Sequence, residues 1–459
     1  MKKYNTAGPR YTSYPTAIAF EDINENDSLL ENALLSLGKS QDAEKLSLYM
    51  HIPFCHSLCY YCGCNKIVTR HAHKADIYLD HLIEETRLRG EQASACTVES
   101  LHLGGGTPSF LNAAQLKRLL DATRAAFALS SNIEMSIEVD PREIQLDYAD
   151  ELARLGFNRL SIGVQDVNSK VQESINRTQS TEFIRDFIRH ARKSGFESIN
   201  LDLIYGLPYQ NRATFSNTLN EMLVMNPDRI SLFSYAHMPQ LFAAQRKIKD
   251  EWLPATEEKF GLFRQAIDFL CAHGYEFIGM DHFAKPSDSL SKAKREQGLY
   301  RNFQGYTTSQ AQATLGLGVS SISSINDVYV QNHKALKDYY QCLSSGTTDT
   351  GSESPKAPAA KAIKLSEDDV IHRAIIHGLM CNFSVDKATF SEQHNIDFDR
   401  YFSASLANLE SFIEDSLLSN TSERLVIHDR GRLIVRNICM SFDQYLDKPL
   451  HQTRYSRVI

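Results

Sequence analysis

The sequence predicts an α/β protein whose strands run parallel, as a barrel or as an open doubly wound sheet. Three observations carry this. From residue 46 onward short apolar runs alternate with longer amphipathic stretches, the stretches are long enough for helical crossovers, and several runs end in polar or glycine-rich sequence. Parallel strands need such crossovers, and their sheet is buried on both faces. In both architectures chemistry is placed at the carboxyl ends of the strands.

"LSLYMHIPF" (46–54) opens the series. "KADIYLDHLIEETRLRG" follows, with Ile77, Leu79, Leu82 and Ile83 spaced as a helix face requires. "ESLHLGGG" (99–106) is the second strand and leads to the helix "AAQLKRLLDATRAAFAL". "EMSIEVD" (134–140) and a helix around 144–155 come next, then "RLSIGVQD" (159–166) and the helix "TEFIRDFIRHARKSGF". "SINLDLIYGLP" (198–208) and "RISLFSYAHM" (229–238) are the fifth and sixth strands, followed by a helix at 256–273 and "YEFIGMDHFA" (275–284). The strand ends worth watching are 51–55, 104–107, 138–140, 165–166, 205–208 and 236–237.

"SSGTTDTGSESPKAPAAKA" (344–362) is small, polar and proline-containing and reads as a linker. Beyond it "EDDVIHRAIIHGLMCNF" and "RYFSASLANLESFIEDSLL" read as helices, and "LVIHDRGRLIVRNI" as a hairpin turning at Asp429-Arg430-Gly431. Two helices and a hairpin suggest a winged helix, but a support domain packed on the barrel suits the acidic chain better. The expected domains are an N-terminal arm (1–45), a barrel with its extension (46–343), the linker (344–362) and a C-terminal helical domain (363–459).

A net charge of -7 argues against a nucleic-acid partner, since phosphate neutralisation needs clustered Lys and Arg. No apolar run approaches the ~18 residues of a membrane span, and "MKKYNTAGPRYTSYPT" has no apolar leader segment, so a cytoplasmic protein without membrane insertion is expected. The nine cysteines are odd in number, and Cys96, Cys271, Cys342, Cys381 and Cys439 are scattered singly. A disulfide framework is not expected from that distribution.

The other four, Cys55, Cys59, Cys62 and Cys64, fall within "HIPFCHSLCYYCGC", just after the first strand. Zinc sites usually take two separated pairs of ligands, and here there is no second pair. His51, His56, His71 and His73 lie close enough that counting alone leaves a Cys/His zinc site open. A ferredoxin run is C-x2-C-x2-C, whereas this one is C-x3-C-x2-C. That spacing offers three thiolates to a four-iron cubane and leaves one iron open, and it is the signature of the radical S-adenosylmethionine superfamily. There the cofactor chelates the open iron, a reduced cluster splits its carbon-sulfur bond, and a 5'-deoxyadenosyl radical results. Other strand ends agree: "GGGTP" (104–108) permits close backbone approach to a ligand, Tyr49, Phe54, Tyr60 and Tyr61 offer stacking faces for an adenine, and Glu138 and Asp140 suit ribose hydroxyls or an ammonium.

With "YMHIPFCHSLCYYCGCNKIVTR", "GGGTPSFL", "SIEVDPREI", "NRLSIGVQD", "NLDLIYGLP", "DRISLFSYAHMP", "GMDHFA" and "RNFQGYTT", the chain closely resembles the oxygen-independent coproporphyrinogen III oxidase (dehydrogenase) family. The resemblance runs from "YNTAGPRYTSYPT" to "QTRYSRVI" and is weakest at 344–362. It implies a partial (βα)6 TIM-like barrel with an N-terminal arm and a small, mostly helical C-terminal domain, in a cytoplasmic monomer. The implied reaction converts two propionates of coproporphyrinogen III to vinyl groups, giving protoporphyrinogen IX in haem biosynthesis.

Carried over by the resemblance, one [4Fe-4S] cluster falls on Cys55, Cys59 and Cys62, with Cys64 outside the ligand set. Tyr49, Gly105 and Glu138 would contact the cluster-bound S-adenosylmethionine. Tyr61, Gly106, Thr107, Gln165, Arg177, Asp202, Ala236 and Ile322 would contact a second molecule. Arg10 and Arg301 are candidates for the substrate carboxylates, because arginine pairs with them in bidentate fashion. A flavodoxin-type reductant is the expected partner. The rival within the superfamily is a haem-binding chaperone without decarboxylase activity; Cys64 in "CGCNK", the "GPRYTSYP" arm and the closing "SRVI" favour the oxidase.

Overall fold

The computed structural model describes residues 2–23, 28–37, 44–308, 313–344, 346–348, 351–353, 356–446 and 455–457. Six parallel strands form its centre: β1 (Lys45–Ile52), β2 (Thr97–Gly105), β3 (Ala128–Val139), β4 (Arg159–Gln165), β5 (Ser198–Tyr205) and β6 (Arg229–Ser234). They pair in chain order, each parallel to the next. Helices α1 (His73–Gln92), α2 (Ala113–Ala126), α3 (Tyr148–Leu155), α4 (Thr181–Lys193), α5 (Arg212–Met225) and α6 (Thr256–Ala272) follow the strands in turn.

The helix starts are set locally. Asn112 and Gln115 cap α2 reciprocally, Ser180 accepts from the Phe183 N–H at the start of α4, and Asn211 and Thr214 cap α5 as a pair. Each such cap satisfies backbone donors that the first turn leaves without partners. Helix α1 turns Ala75, Tyr78, Leu79 and Leu82 inward, while Ile77, read as part of its apolar face, stands 47% exposed. Tyr78 takes the inward position instead, and its hydroxyl donates to the His51 carbonyl at 2.6 Å.

The strands alternate, with consequences for the site. Leu101 and Leu103, Ile137 and Val139, Leu160 and Ile162, Ile199 and Leu201, and Ile230 and Leu232 belong to the buried apolar core. The positions between them, such as Ser100, His102, Ser136, Glu138, Ser161, Asn200, Asp202 and Ser231, line a cavity on the opposite face. Period-two alternation is what strand geometry imposes. The inner face of the sheet is therefore polar and lines a cavity, where a sheet buried on both faces was expected.

After β6 the chain turns back. "YEFIGMDHFA" is a tight hairpin of β7 (Glu276–Gly279) and β8 (His282–Ala284), antiparallel to each other, and β8 pairs antiparallel with β6. A second hairpin, β9 (Tyr300–Asn302) and β10 (Gly305–Thr307), stands apart from the main sheet. Strand β11 (Ala313–Leu317) then adds a seventh parallel strand on the free side of β1. β12 (Ile322–Ile325), β13 (Val328–Asn332) and β14 (Ala359–Lys364) continue antiparallel to an edge at Glu21–Asp22. Among the described residues the two sheet edges do not pair, so the barrel is partial.

Residues 359–362, placed in the linker by composition, thus lie in β14, because Ala362 is buried and 361 and 362 pair with Gln331 and Val330. Parts of the linker (345, 349–350, 354–355), of the N-terminal arm (1, 24–27, 38–43) and of "QTRYSRVI" (452–454, 458–459) lie outside the described residues.

The C-terminal region has its own core, and the arm is part of it. Tyr4, Tyr11 and Tyr14 pack with Ile375, Leu379, Phe402 and Phe442. Arg436 donates to the Pro9 and Gly8 carbonyls at 2.8 and 2.6 Å. Helix α7 (Glu367–Asn382) starts on a Ser366–Asp369 capping box. The expected hairpin at 425–438 is not formed: strand Arg424–Ile427 pairs with Ser384–Asp386 and Leu418–Asn420, and Asp429–Arg432 and Val435–Met440 are helical. Ile434, Val435, Ile438 and Cys439 are all buried, and that spacing is helical, not alternating. No helix among the described residues is long and apolar enough to cross a membrane.

Candidate active site

The cysteine loop leaves the carboxyl end of β1 and is tied down at several points. Phe54 and Cys55 pair with Ile67 and Val68, and the Ile67 and Thr69 amides donate to the Pro53 and Cys55 carbonyls at 2.7 and 2.9 Å. Across the barrel mouth, the Tyr60 N–H donates to the Ile175 carbonyl at 3.0 Å and the Asn176 side chain to the Leu58 carbonyl at 2.8 Å. Cys55 and Cys59 are buried, Cys62 is half-buried and Cys64 is exposed.

Each of the first three sulfurs has a polar neighbour. The Thr107 hydroxyl donates to Cys55 Sγ at 3.3 Å, Arg142 and Arg177 each donate to Cys59 Sγ at 3.4 Å, and the Cys64 N–H donates to Cys62 Sγ at 3.4 Å. Burial, with smaller contributions from the neighbouring Cys62 and Cys59, pushes the Cys55 thiol up to about 11 despite the Thr107 hydrogen bond. The Cys64 thiol beside it, helped by Lys66 and opposed by burial, brings Cys62 down to about 6. Cys64 therefore acts on Cys62 through its own N–H and S–H. Among the described residues no three His, Cys, Asp or Glu side chains converge on a single ion. A cubane takes one thiolate on each of three irons, so its ligands need not converge on a point.

Gly105 and Gly106 lie against this loop. A Cβ on Gly106 would stand 2.6 Å from the Pro53 carbonyl oxygen, and Gly105 has a φ of +120° with the His51 ring 2.7 Å from where its Cβ would be. Only glycine lets the two strand ends come this close. The Gly105 N–H donates to Glu138 Oε2 at 3.1 Å, while His102 sits 3.3 Å from Glu138 Oε1 and stacks on Tyr49. Tyr49 also reaches His51 Nδ1 at 3.1 Å.

Asp140 differs from the role suggested for it. Its carboxylate is committed to Arg142 at 2.6 and 2.9 Å and to Arg177 at 3.0 Å, so it is not free for a ribose or an ammonium. Burial alone would raise it, but the two guanidinium groups outweigh that and hold it at about 2. Arg177 is buried, and it also donates to the Gly163 carbonyl at 2.7 Å. Arg142 is a residue that sequence reasoning missed; its two-residue spacing from Asp140 in "DPR" was the available signal.

Below the loop the lumen forms a cavity of about 450 Å3, within the range of small-molecule sites. Tyr61, Gly105, Gly106, Thr107, Glu138, Gln165, Arg177 and Asp202 line it together with Cys62. Gln165 takes a left-handed φ of 65° at a break in the β4–β5 register. Asp202 accepts from Ser161 at 3.0 Å and from Asn200 at 2.8 Å; burial, then the charge of Glu138, pushes its carboxyl up to about 6. Ala236 stands at the rim, where Gln245 bridges its carbonyl (3.1 Å) and that of Tyr61 (2.9 Å), a positioning role no sequence motif announced.

Of the cofactor and substrate candidates, Tyr49, Ala236, Ile322, Arg10 and Arg301 lie outside the lumen lining. Ile322 packs by Phe20, Tyr329 and Leu365. Arg10 donates to the Ser234 carbonyl at 3.1 Å in a small pocket shared with Asp281 and Arg436. Arg301 lines a second cavity, whose lining shares Thr307 with the lumen.

The donor set fits a cluster and a nucleoside-bearing cofactor. Three thiols share one loop, two glycines allow close approach, and Gln165 Oε1 and Arg177 Nε are buried without hydrogen-bond partners beside the lumen. A C-x3-C-x2-C loop at the end of the first strand of a partial parallel barrel, above a polar lumen, defines a radical S-adenosylmethionine enzyme. The family model described as the radical SAM superfamily matches residues 49–222, and the HemN C-terminal domain model matches 365–434. The oxygen-independent coproporphyrinogen III oxidase of Escherichia coli K12 is 49% identical, covering 100% of this chain and 97% of that one. The protein of the same name from Synechocystis is 42% identical with the same coverage. The solved E. coli coproporphyrinogen III oxidase (HemN), described as a radical SAM enzyme, superposes with a TM-score of 0.89 at 48% identity, over 95% of this chain and 98% of that one. The chain belongs to the oxygen-independent coproporphyrinogen III oxidase family.

Proposed function

We propose that this enzyme converts two propionate side chains of coproporphyrinogen III to vinyl groups without oxygen, giving protoporphyrinogen IX for haem biosynthesis. The observation that carries the reading is the three-thiol loop held over a polar lumen, in a chain whose whole length matches enzymes of that name. Each propionate loses one hydrogen atom from its β-carbon, then carbon dioxide and one electron, and the electron passes to a one-electron acceptor. The cluster and S-adenosylmethionine, when bound, supply the 5'-deoxyadenosyl radical that takes such a hydrogen.

The chain's own residues position and shield. Cys55, Cys59 and Cys62 hold the cluster, and Arg142 and Arg177 lay positive charge against the Cys59 sulfur. Hydrogen bonds and charge at a ligating sulfur tune what the metal does. Tyr49, Gly105 and Glu138 are assigned to the S-adenosylmethionine on the cluster. Tyr61, Gly106, Thr107, Gln165, Arg177, Asp202, Ala236 and Ile322 are assigned to a second one. Two propionates per substrate, each requiring one cofactor, make a paired site chemically sensible. A flavodoxin-type reductant, a monomer and a cytoplasmic setting complete the proposal.

The haem-chaperone alternative is not favoured, since the full-length relatives carry the oxidase name. Anaerobic reconstitution with iron and sulfide, followed by assay for 5'-deoxyadenosine and protoporphyrinogen IX, tests the reading. Both products are expected; a full cluster that yields no protoporphyrinogen IX refutes it.

A further inference from the structure

A second large cavity, about 550 Å3, lies between the β9–β10 hairpin, helix α7 and residues 11–14 of the arm. The hairpin forms a partition. Gln304 and Tyr306 line the lumen, Arg301 and Phe303 line the second cavity, and Thr307 lines both. Thr307, at the end of β10, is therefore the point where the two spaces lie against each other.

The lining of the second cavity is electrostatically one-sided. Its charged lining residues are Arg301 and Arg373, with no Asp or Glu, in a chain of net charge -7; burial, then Arg373, brings the His377 imidazole down to about 4, so it adds no charge. Arg301 is the anomaly within it. Its side chain is 4% exposed, and its Nε and Nη1 have no hydrogen-bond partner. Its nearest carboxylate, on Asp281, stands 3.8 Å away, and the guanidinium otherwise rests over the Tyr306 ring at 4.8 Å. Burying donors unsatisfied is costly unless a ligand completes them, and the guanidinium fork matches a carboxylate. Arg373, from α7, spends only Nη1, on the Asn326 carbonyl at 2.8 Å, and aims its charge at the same space. Phe303, Tyr329, Ile376 and Met380 supply apolar and aromatic surface between the cations. Aromatic and apolar faces interleaved with polar ones, with carboxylate receptors at the edges, complement a tetrapyrrole bearing propionates.

We infer that this second cavity is the tetrapyrrole dock, in which Arg301 and Arg373 hold propionates that are not converted while a reacting propionate reaches past Thr307 into the lumen. The inference rests on the proposed function and adds to it where the substrate lies and which groups read its carboxylates.

The test is equilibrium binding of coproporphyrin III, the air-stable oxidised form, to purified full-length protein, followed by porphyrin fluorescence. The probes are coproporphyrin III and its tetramethyl ester, which has the same ring and no carboxylates. Loss of a charge-assisted hydrogen bond should weaken binding roughly tenfold. Arg301→Gln and Arg373→Glu should each do so, the ester should bind wild type at least that much more weakly, and Arg430→Glu, an equal charge change on an exposed residue outside the cavity, should bind as wild type does. Arg373 is on the cavity rim, so its variant keeps the test open if Arg301→Gln misfolds. Wild-type affinity in folded Arg373→Glu, or equal binding of acid and ester, overturns the dock. Porphyrin binding that depends on both arginines, in a protein that makes no protoporphyrinogen IX, would overturn the proposed reaction and leave the dock standing. Full turnover with an unchanged KM in both variants would overturn the dock alone.

Discussion

Asp202→Asn should make the protein more stable and less competent, and the two effects have different pH signatures. Asp202 lies on the lumen side of β5, and its hydrogen bonds come from the neutral donors Ser161 and Asn200. Burial, followed by the charge of Glu138, raises its carboxyl from 3.8 to about 6. A carboxyl whose folded pKa is raised costs nothing below the unfolded value. The penalty grows as pH rises through the window from 3.8 to about 6 and is full above it. About two units at ~1.4 kcal/mol each give a ceiling near 3 kcal/mol, and water entering the lumen reduces this to about 1–2 kcal/mol. Asparagine keeps the shape and removes the charge. Urea melts of the metal-free protein should therefore show Asp202→Asn more stable by that amount at pH 8, with the advantage cut by about half at pH 5. Equilibrium dialysis of S-adenosylmethionine against the reconstituted protein should show weaker binding, as expected of a residue kept for a ligand at the expense of stability. A stability difference that does not change between pH 5 and pH 8, or a variant less stable at pH 8, would refute the reasoning.

Other expectations follow from the same geometry. Gly106→Ala sets a methyl against the Pro53 main chain, which cannot rotate away, and should cost about 1–3 kcal/mol in urea melts and weaken S-adenosylmethionine binding. Gly195→Ala, with a φ of +99° but open space around it, should cost about 1 kcal/mol and leave binding intact. Arg177→Gln leaves Asp140 with Arg142 alone and the Gly163 carbonyl without its donor, so denaturation at pH 7 should show a loss of about 2–3 kcal/mol, below the full cost of breaking a buried pair because one arginine remains. Iron and sulfide analysis should find the cluster lost in Cys55→Ala, Cys59→Ala and Cys62→Ala and retained in Cys64→Ala. Cluster loss in Cys64→Ala would show that this thiol does more than donate to Cys62.

The strand order and the cysteine loop were legible because they depend on local pattern: apolar runs separated by amphipathic helices, and a ligand spacing contained in eight residues. The polar lumen was also written in the chain, in the alternation of "EMSIEV" and "SINLDLI", but reading both sheet faces as buried concealed it. What the sequence could not display were pairings set by tertiary contact. Arg177 meets Asp140 only when the end of β3 and the segment after β4 come together. Gln245 reaches Tyr61 across 184 residues. Strand β14 hides in a run of alanines and lysines whose partner, β13, decides its conformation. The 425–438 segment misleads because its β-branched residues fit a strand, yet its buried positions follow a helical period.

The most direct measurement of the central claim is a product balance on the anaerobically reconstituted wild-type enzyme, given coproporphyrinogen III, S-adenosylmethionine and a one-electron reductant. Two molecules of 5'-deoxyadenosine and two of carbon dioxide are expected for each protoporphyrinogen IX. A fully loaded cluster that cleaves S-adenosylmethionine yet releases no carbon dioxide and forms no vinyl group would contradict it.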